Sequence, residues 1–451
     1  MKEGVVMKEV KSVRTKKLKL SDLIAISAGQ VIGAGVVTII GPAINSTGLS
    51  AWLAYGVAVF VGFISILPFI FLSSTVVCQG GEYSIVMGMM GEKIAGIYAV
   101  AFITQCLSLS LLGTSMGVYF HSIFPSVNGQ MVGIIAVTVF FVLNLLGVNA
   151  MAKVQKVLTS ILIISLLIFS VVGFFHLGPS VFDFTSPKFF SSGFGGFAEA
   201  VSLYAYSTYG QYMVINFSKD AENPKRDIPL AIIISSVIIL VVYVSIAIVD
   251  CGVLPIKVVA GQPLTIVAKK IFSGFLFPLF IIGGPLMALA TTLNSTYGSR
   301  ANPLLRAAMD GWFPEKASKC NRWNVPYVIM TFIFLLGIIP LLFNLSIKTI
   351  TSNLVLVGYL LRMVTAMAII KLPKLFSEQW KKSFLHIPNG LFYFLMVLTF
   401  LAQIYLVYLS LKSLPPLISA INILFLVLCA VYALARHRSG KVHVVSSITF
   451  E

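Results

Sequence analysis

Apolar residues gather into twelve long runs, near residues 22–44, 51–75, 94–120, 130–148, 157–177, 197–217, 229–251, 272–296, 326–344, 351–371, 391–411 and 415–435. An α-helix needs ~20 apolar residues to cross the hydrocarbon core of a bilayer, so the pattern predicts an all-α integral membrane protein with twelve transmembrane helices. An even count puts both termini on one side. The longest polar stretches, 178–193, 298–325 and 371–390, are too short to fold alone; the first is expected outside and the other two inside.

Most of the runs are unbroken Leu, Ile, Val and Phe, but two are not. The first contains Gly33-Ala34-Gly35, flanked by Gly29 and by Gly41-Pro42. The sixth contains Ser207-Thr208-Tyr209-Gly210 between Tyr206 and Gln211. Glycine weakens a helix by roughly 1 kcal/mol relative to alanine, and backbone groups freed at membrane depth must be satisfied by protein, water or ligand. A broken helix there points to a cavity. The first and sixth spans are counterparts if residues 21–178 and 179–372 form two inverted halves of five helices. Residues 373–436 then supply two added helices, with tails at 1–20 and 437–451.

The chemistry of such breaks suits a zwitterion. Amides freed near Gly33-Ala34-Gly35, at the positive end of a half-helix, can receive a carboxylate. Carbonyls freed between Tyr206 and Gly210 can accept the N–H bonds of an ammonium, with Tyr206 and Tyr209 as walls. The competing readings are a small-residue packing seam for the glycines and a polar stripe between helices for residues 206–210. Spans one, three, eight and ten have no acidic residue in their cores. A polyamine, which would want carboxylate partners in a dry site, is therefore less expected than a neutral amino acid.

Composition strengthens the membrane reading: 58% of the residues are hydrophobic, 10% are charged and the mean hydropathy is +0.97, against about a quarter charged in soluble domains. The net charge of +17 comes from 32 Lys and Arg spread over short connections, which argues against a nucleic-acid surface. With a cytoplasmic N-terminus, 25 of the 32 fall inside, while Lys188, Lys257, Lys269, Lys270, Lys348 and Lys412 fall outside, the positive-inside asymmetry. The first 20 residues, rich in lysine, are expected to remain as a cytoplasmic tail near anionic lipid. The remaining cation, Arg362, lies near the centre of span ten, where it either faces a wet path or snorkels to the interface.

Other chemistry is sparse. The five cysteines and five histidines show no metal-ligand or disulfide spacing. Gly193 to Ala198 loosely matches a dinucleotide fingerprint but leads into a membrane span without a preceding strand. No Walker loop or HExxH pattern occurs. A polytopic enzyme or sensor should show intramembrane clusters of His, Asp or Glu, which the core spans lack, so neither catalysis nor a cofactor is expected.

Four segments together resemble the amino acid–polyamine–organocation superfamily of secondary transporters. They are Ile32 to Val36; Gly80-Gly81-Glu82-Tyr83; Asn144 and Gly147 leading to Val154-Gln155 and Thr159; and Tyr206 to Pro229, which includes Glu222-Asn223-Pro224-Lys225-Arg226-Asp227. Arg300 and Asp310 to Pro314 resemble the loop after helix eight. The resemblance implies a LeuT-type fold in the cell (plasma) membrane, both termini cytoplasmic, with an amino acid as small-molecule partner between helices one, three, six, eight and ten. By that similarity Gly33, Ala34 and Gly35 hold the carboxylate, and Ile32 with carbonyls near Tyr206 and Ser207 the amine. Tyr206 closes the site, Tyr209 and Gly210 shape the side-chain pocket, and Arg362 joins Tyr206 in gating. Gln105, Ser108 and Met287 are added from their facing alone.

The resemblance has departures. Leu162 stands where several relatives have a lysine three residues after the threonine matching Thr159, and about two residues are inserted after Arg300. If sodium is the coupling ion, carbonyls of Gly29 and Ile32 with hydroxyls of Thr291 and Thr292 are the oxygens expected to hold it; a proton, or exchange without an ion, is the alternative. The rival within transport is a polyamine or cationic amino acid carrier. The oligomeric state is not legible.

Overall fold

A computed structural model describes residues 16–33, 35, 39–205, 207–343, 347–444 and 448–450, with only the backbone at 347–355, 409, 412 and 413. Fifteen helices carry the architecture. They are α1 (Leu20–Val31), α2 (Ile40–Thr47), α3 (Ala51–Thr75), α4 (Gly81–Met90), α5 (Glu92–Phe102), α6 (Ser108–Ile123), α7 (Gly129–Leu145) and α8 (Val148–Phe174). There follow α9 (Gly193–Ala205), α10 (Pro224–Gly252), α11 (Met287–Met309), α12 (Tyr327–Leu342), α13 (Ile347–Ile369), α14 (Asn389–Ser413) and α15 (Pro416–Arg438). Among the described residues, eight helical stretches are long and apolar enough to cross a membrane, and α1, α7 and α12 are shorter apolar helices. The molecule is a helical, multi-pass membrane protein.

Burial sorts these helices into an inner and an outer layer. The apolar windows of the stretches Ile40–Thr75 and Leu276–Met309 are each 61% buried, whereas those within α14 and α15 are 28% and 17% buried. Phe394, Val397, Leu401, Leu424, Leu428 and Val431 on the last two helices stay exposed, as side chains that face lipid tails do. Charged groups inside are few because an ion in hydrocarbon needs a partner.

Close helix contact in lipid depends on small residues. At the α6–α7 crossing, a Cβ on Gly133 would lie 2.6 Å from the Gly113 carbonyl oxygen, and one on Gly117 would collide with the Gly129 carbonyl. Glycine is required here by the distance between two backbones.

Both described ends of the chain meet on one face. Leu18 pairs with Ala221 in a parallel bridge, its amide donating to Asp220 O at 2.8 Å. Strand β1 (Val77–Cys78) pairs antiparallel with β2 (Ile448–Thr449) in the register Val77 to Thr449 and Cys78 to Ile448. On the same face Tyr83 Oη donates to Asp310 Oδ2 at 2.8 Å, Arg306 bonds Asp310 Oδ1 at 2.8 Å, and Trp312 Nε1 donates to Tyr83 Oη at 2.9 Å. The segments around Tyr83 and around Asp310 to Trp312, separate in sequence, are thus clamped together.

Two boundaries differ from the sequence expectation. Residues 298–325 were expected to be a polar loop, but helix α11 continues to Met309. Its polar residues are satisfied by protein, with Asn302 Nδ2 donating to Asn216 O at 2.8 Å and Arg306 bonded to Asp310. Helix α8 likewise begins at Val148 rather than near 157, its polar first turns lying beyond the apolar run. For the crossing, Gly133→Leu should lower the detergent melting temperature by the equivalent of about 1–3 kcal/mol, the usual cost of overpacking. The control Gly390→Leu, where a side chain meets nothing within 4 Å, should leave it nearly unchanged.

Candidate functional site

Helix α1 stops at Val31 because Ile32 leaves helical geometry, with φ −74° and ψ 79°. Gly33 N then bonds Val31 O at 2.8 Å, and among the described residues Ile39 N bonds Gly35 O at 3.0 Å ahead of α2. Helix α9 ends at Ala205, Ser207 N bonds Tyr204 O at 2.9 Å, and Tyr209 sits at φ −135° and ψ 15°. The chain continues as a tighter 3₁₀ helix, Gly210–Asp220. Ala34 and Tyr206 lie outside the described residues.

The breaks touch each other. A Cβ on Gly35 would lie 2.6 Å from Ser207 Cβ, and one on Gly210 would lie 3.0 Å from Gln30 O. One side chain serves both: Tyr243 Oη on α10 donates to Val31 O at 3.0 Å, with Ser207 O at 3.4 Å as a second acceptor. Ser27 Oγ donates to Gln211 O at 3.1 Å, and Tyr55 Oη lies 3.1 Å from Ser207 Oγ. Carbonyls released by the unwinding are in this way taken up by buried hydroxyls, as hydrocarbon surroundings require.

Between the breaks lies a cavity of about 180 Å³. Gln30, Val31, Gly33 and Gly35 line it from the first break, and Ser207, Tyr209, Gly210 and Met213 from the second. Gln105 and Ser108 reach it from the α5–α6 junction, where Ile103–Leu107 tightens into a 3₁₀ turn. Thr292, Thr296 and Arg300 face it at four-residue intervals along α11, and Gly358, Tyr359 and Arg362 from one face of α13. Arg362 therefore faces the cavity and does not reach for the interface.

Met287 is not on this wall. It precedes Thr292 by five residues, which turns it about 140° around α11 from the cavity-facing stripe. Ile32 is fully buried beside the wall and does not line it.

The electrostatics are one-sided. The Arg362 guanidinium lies 3.8 Å from the Tyr209 ring centre and 5.3 Å from that of Tyr359, and Tyr209 Oη donates to Tyr359 Oη at 2.7 Å. Arg300 stands 5.5 Å over Phe102. Both arginines are buried, at 5% and 7% exposure for Arg300 and Arg362. Among the described residues no Asp or Glu lines the cavity. The nearby carboxylate of Glu82 is engaged elsewhere, accepting from Tyr98 Oη at 3.2 Å, Tyr212 Oη at 3.3 Å and Asn216 Nδ2 at 3.0 Å. Gln30, Thr296, Arg300 and Tyr359 escaped the sequence reading. The four-residue spacing from Thr292 leads to Thr296 within the expected span, and to Arg300 once α11 is extended beyond residue 296.

The oxygens considered for a cation are partly brought together. Thr292 Oγ1 donates to Gly29 O at 2.9 Å, while Thr291 Oγ1 donates to Ala288 O of its own helix at 2.9 Å. Thr159 Oγ1 donates to Ala25 O at 3.0 Å, and Leu162 is fully buried. Among the described residues no three His, Cys, Asp or Glu side chains gather as a metal-binding group. Since Tyr243 holds the carbonyls at both breaks, Tyr243→Phe should destabilise the folded protein by about 1–3 kcal/mol, the cost of leaving buried acceptors unpaired. A thermal melt in detergent measures this.

The amino acid permease family model matches residues 18–435. An uncharacterized protein of Methanocaldococcus jannaschii is 28% identical over 367 residues, 77% of this chain and 81% of the relative. A branched-chain amino acid permease of Bacillus subtilis is 23% identical over 342 residues, 70% and 72% of the two chains. A vacuolar cationic amino acid transporter of Arabidopsis thaliana is 25% identical over 336 residues, 69% and 56% of the two chains. The matched region runs from before α1 into α15 and contains every cavity-lining residue, so the chain belongs to the amino acid permease family of the amino acid–polyamine–organocation superfamily.

Proposed function

We propose that this permease carries an amino acid across the cell membrane by alternating access, as an ion symporter or an exchanger. In this reading the fold has twelve spans, two inverted five-helix halves and two further helices, with both termini cytoplasmic. The observation that carries it is the meeting of two interrupted helices at one buried cavity, the arrangement that secondary transporters use at the membrane midplane.

The substrate's α-carboxylate is received at the break from Gly33 to Gly35, where the Gly33 amide exchanges its bond to Val31 O for the ligand, and its ammonium by carbonyls released past Ala205. Tyr209 and Gly210 bound the side-chain pocket, and Tyr206 and Arg362 gate it. Two relatives are named for branched-chain and for cationic amino acids, which supports an amino acid as cargo and leaves its side chain open. A cationic amino acid or a polyamine is opposed by Arg300 and Arg362 on a wall that has no described carboxylate. Neutral, apolar and acidic amino acids remain.

For the ion, Gly29 O and Thr292 Oγ1 already satisfy one another, and Thr291 is turned to its own helix. Both hydroxyls donate and keep their lone pairs, so these bonds leave sodium, a proton and exchange without an ion as the three alternatives.

Purified protein in liposomes tests the reading by counterflow of labelled amino acids, with and without sodium and proton gradients. Saturable amino acid uptake is expected, and the two gradients separate sodium coupling, proton coupling and exchange. Silence for every amino acid while a polyamine accumulates would overturn it. A Cβ at Gly33 would stand 3.0 Å from Thr292 Oγ1. Gly33→Val is therefore expected to abolish uptake while the protein still inserts and purifies as a monodisperse species.

A further inference from the structure

The cavity wall is mixed. At the breaks Gly33 stands against Thr292, with Gly35 against Ser207. The guanidinium groups of Arg300, over Phe102, and Arg362, against the Tyr209 and Tyr359 rings, also line the cavity. Arg300 follows Thr292 by eight residues, which places it about 12 Å further along α11.

Both guanidinium groups are out of water and incompletely paired. Nε of Arg300, and Nε and Nη1 of Arg362, have no hydrogen-bond partner. Their neighbours are aromatic faces, Phe102 for Arg300 and Tyr209, Tyr212 and Tyr359 for Arg362. Such faces attract a cation but do not neutralise it. Glu82, the nearby carboxylate, spends its oxygens on Tyr98, Tyr212 and Asn216. Two like charges in a low-dielectric pocket repel each other, and a buried charge without a counter-charge is costly. The state that relieves this cost has an anion between the two arginines.

The arginines are also prepared for one. The Tyr209–Tyr359 hydroxyl bond ties together two of the rings that cage Arg362, so its planar fork is held in place before a ligand arrives. Guanidinium is the side chain best shaped for carboxylate, which it can bind through two parallel N–H bonds. Gln30, whose Oε1 has no partner, also lines the cavity and donates through Nε2 to Thr296 Oγ1 at 3.4 Å.

We infer that the cavity selects an amino acid whose side chain bears a second anionic group, a dicarboxylic amino acid of about glutamate size. Its α-carboxylate lies at the helix breaks and its side-chain carboxylate at Arg300 and Arg362. The inference rests on the carrier reading above and replaces the neutral side chain expected from the sequence, which rested on missing acids and did not count Arg300 as part of the site.

The test uses the full chain in liposomes preloaded with unlabelled amino acids, comparing entry of labelled L-glutamate with that of labelled L-glutamine and L-leucine. Glutamine matches glutamate in shape and lacks only the charge. Glutamate is expected to exceed glutamine by about tenfold or more, the range of a charge-assisted hydrogen bond left unmade. In Arg362→Gln and in Arg300→Gln the glutamate-to-glutamine ratio is expected to fall towards one. Should either variant fail to fold, the wild-type protein supplies a second readout, a larger melting-temperature rise with glutamate than with glutamine. Glutamine or leucine entering as well as glutamate, or an unchanged ratio in the folded variants, would overturn the inference and leave the carrier reading standing. Exchange of no amino acid at all would overturn both.

Discussion

A peptide group that leaves a helix inside hydrocarbon carries a donor and an acceptor that water cannot satisfy, and the organisation of this molecule follows from how that demand is met. Two helices come apart next to each other, so a small number of hydroxyls can serve both. Tyr243 reaches carbonyls from each break, Ser27 takes the Gln211 carbonyl, and Thr292 takes that of Gly29. The glycines belong to the same solution. Gly35 and Gly210 let backbones approach closely enough for these hydroxyls to span the gap.

Charge is rationed by the same medium. The buried acids of the terminal face are held in networks, Glu82 by two tyrosines and an asparagine, Asp310 by Tyr83 and Arg306. The cavity wall has the opposite character. Its cations sit on aromatic faces that tolerate them without discharging them, so this part of the interior is both stable enough to fold and short of a negative charge.

Much of this was legible in the sequence, and for identifiable reasons. The membrane class follows from run lengths, and the breaks are visible because Gly33-Ala34-Gly35 and the polar run from Ser207 to Gly210 interrupt otherwise unbroken apolar segments. Gln105 and Ser108 were expected there from facing, Arg362 from its charge within a span, and Tyr209 from the break and the family resemblance; all four line the cavity. What escaped was helical structure made of polar residues. Hydropathy ends span eight near residue 296, yet α11 runs to Met309 because Asn302 and Arg306 find partners on distant segments, and with that extension went Arg300. Met287, expected from facing alone, falls off the cavity wall for a related reason: without the helix phase set by Thr292 and Thr296, its direction around α11 was unconstrained. The 3₁₀ turn at Ile103–Leu107 has no glycine or proline to announce it.

The small strand pair on the terminal face has a bearing on how the molecule is assembled. β1 leaves the ribosome early, after α3, whereas its partner β2 appears only after α15. The stretch between Val77 and the Glu82 cluster therefore waits, without its edge partner, through nearly the whole of membrane insertion. Ile448 also seats against Gly88 of α4, so the face that organises Glu82, Tyr83 and Asp310 is completed by a segment made after α15 and not during the threading of the fifteen named helices into lipid.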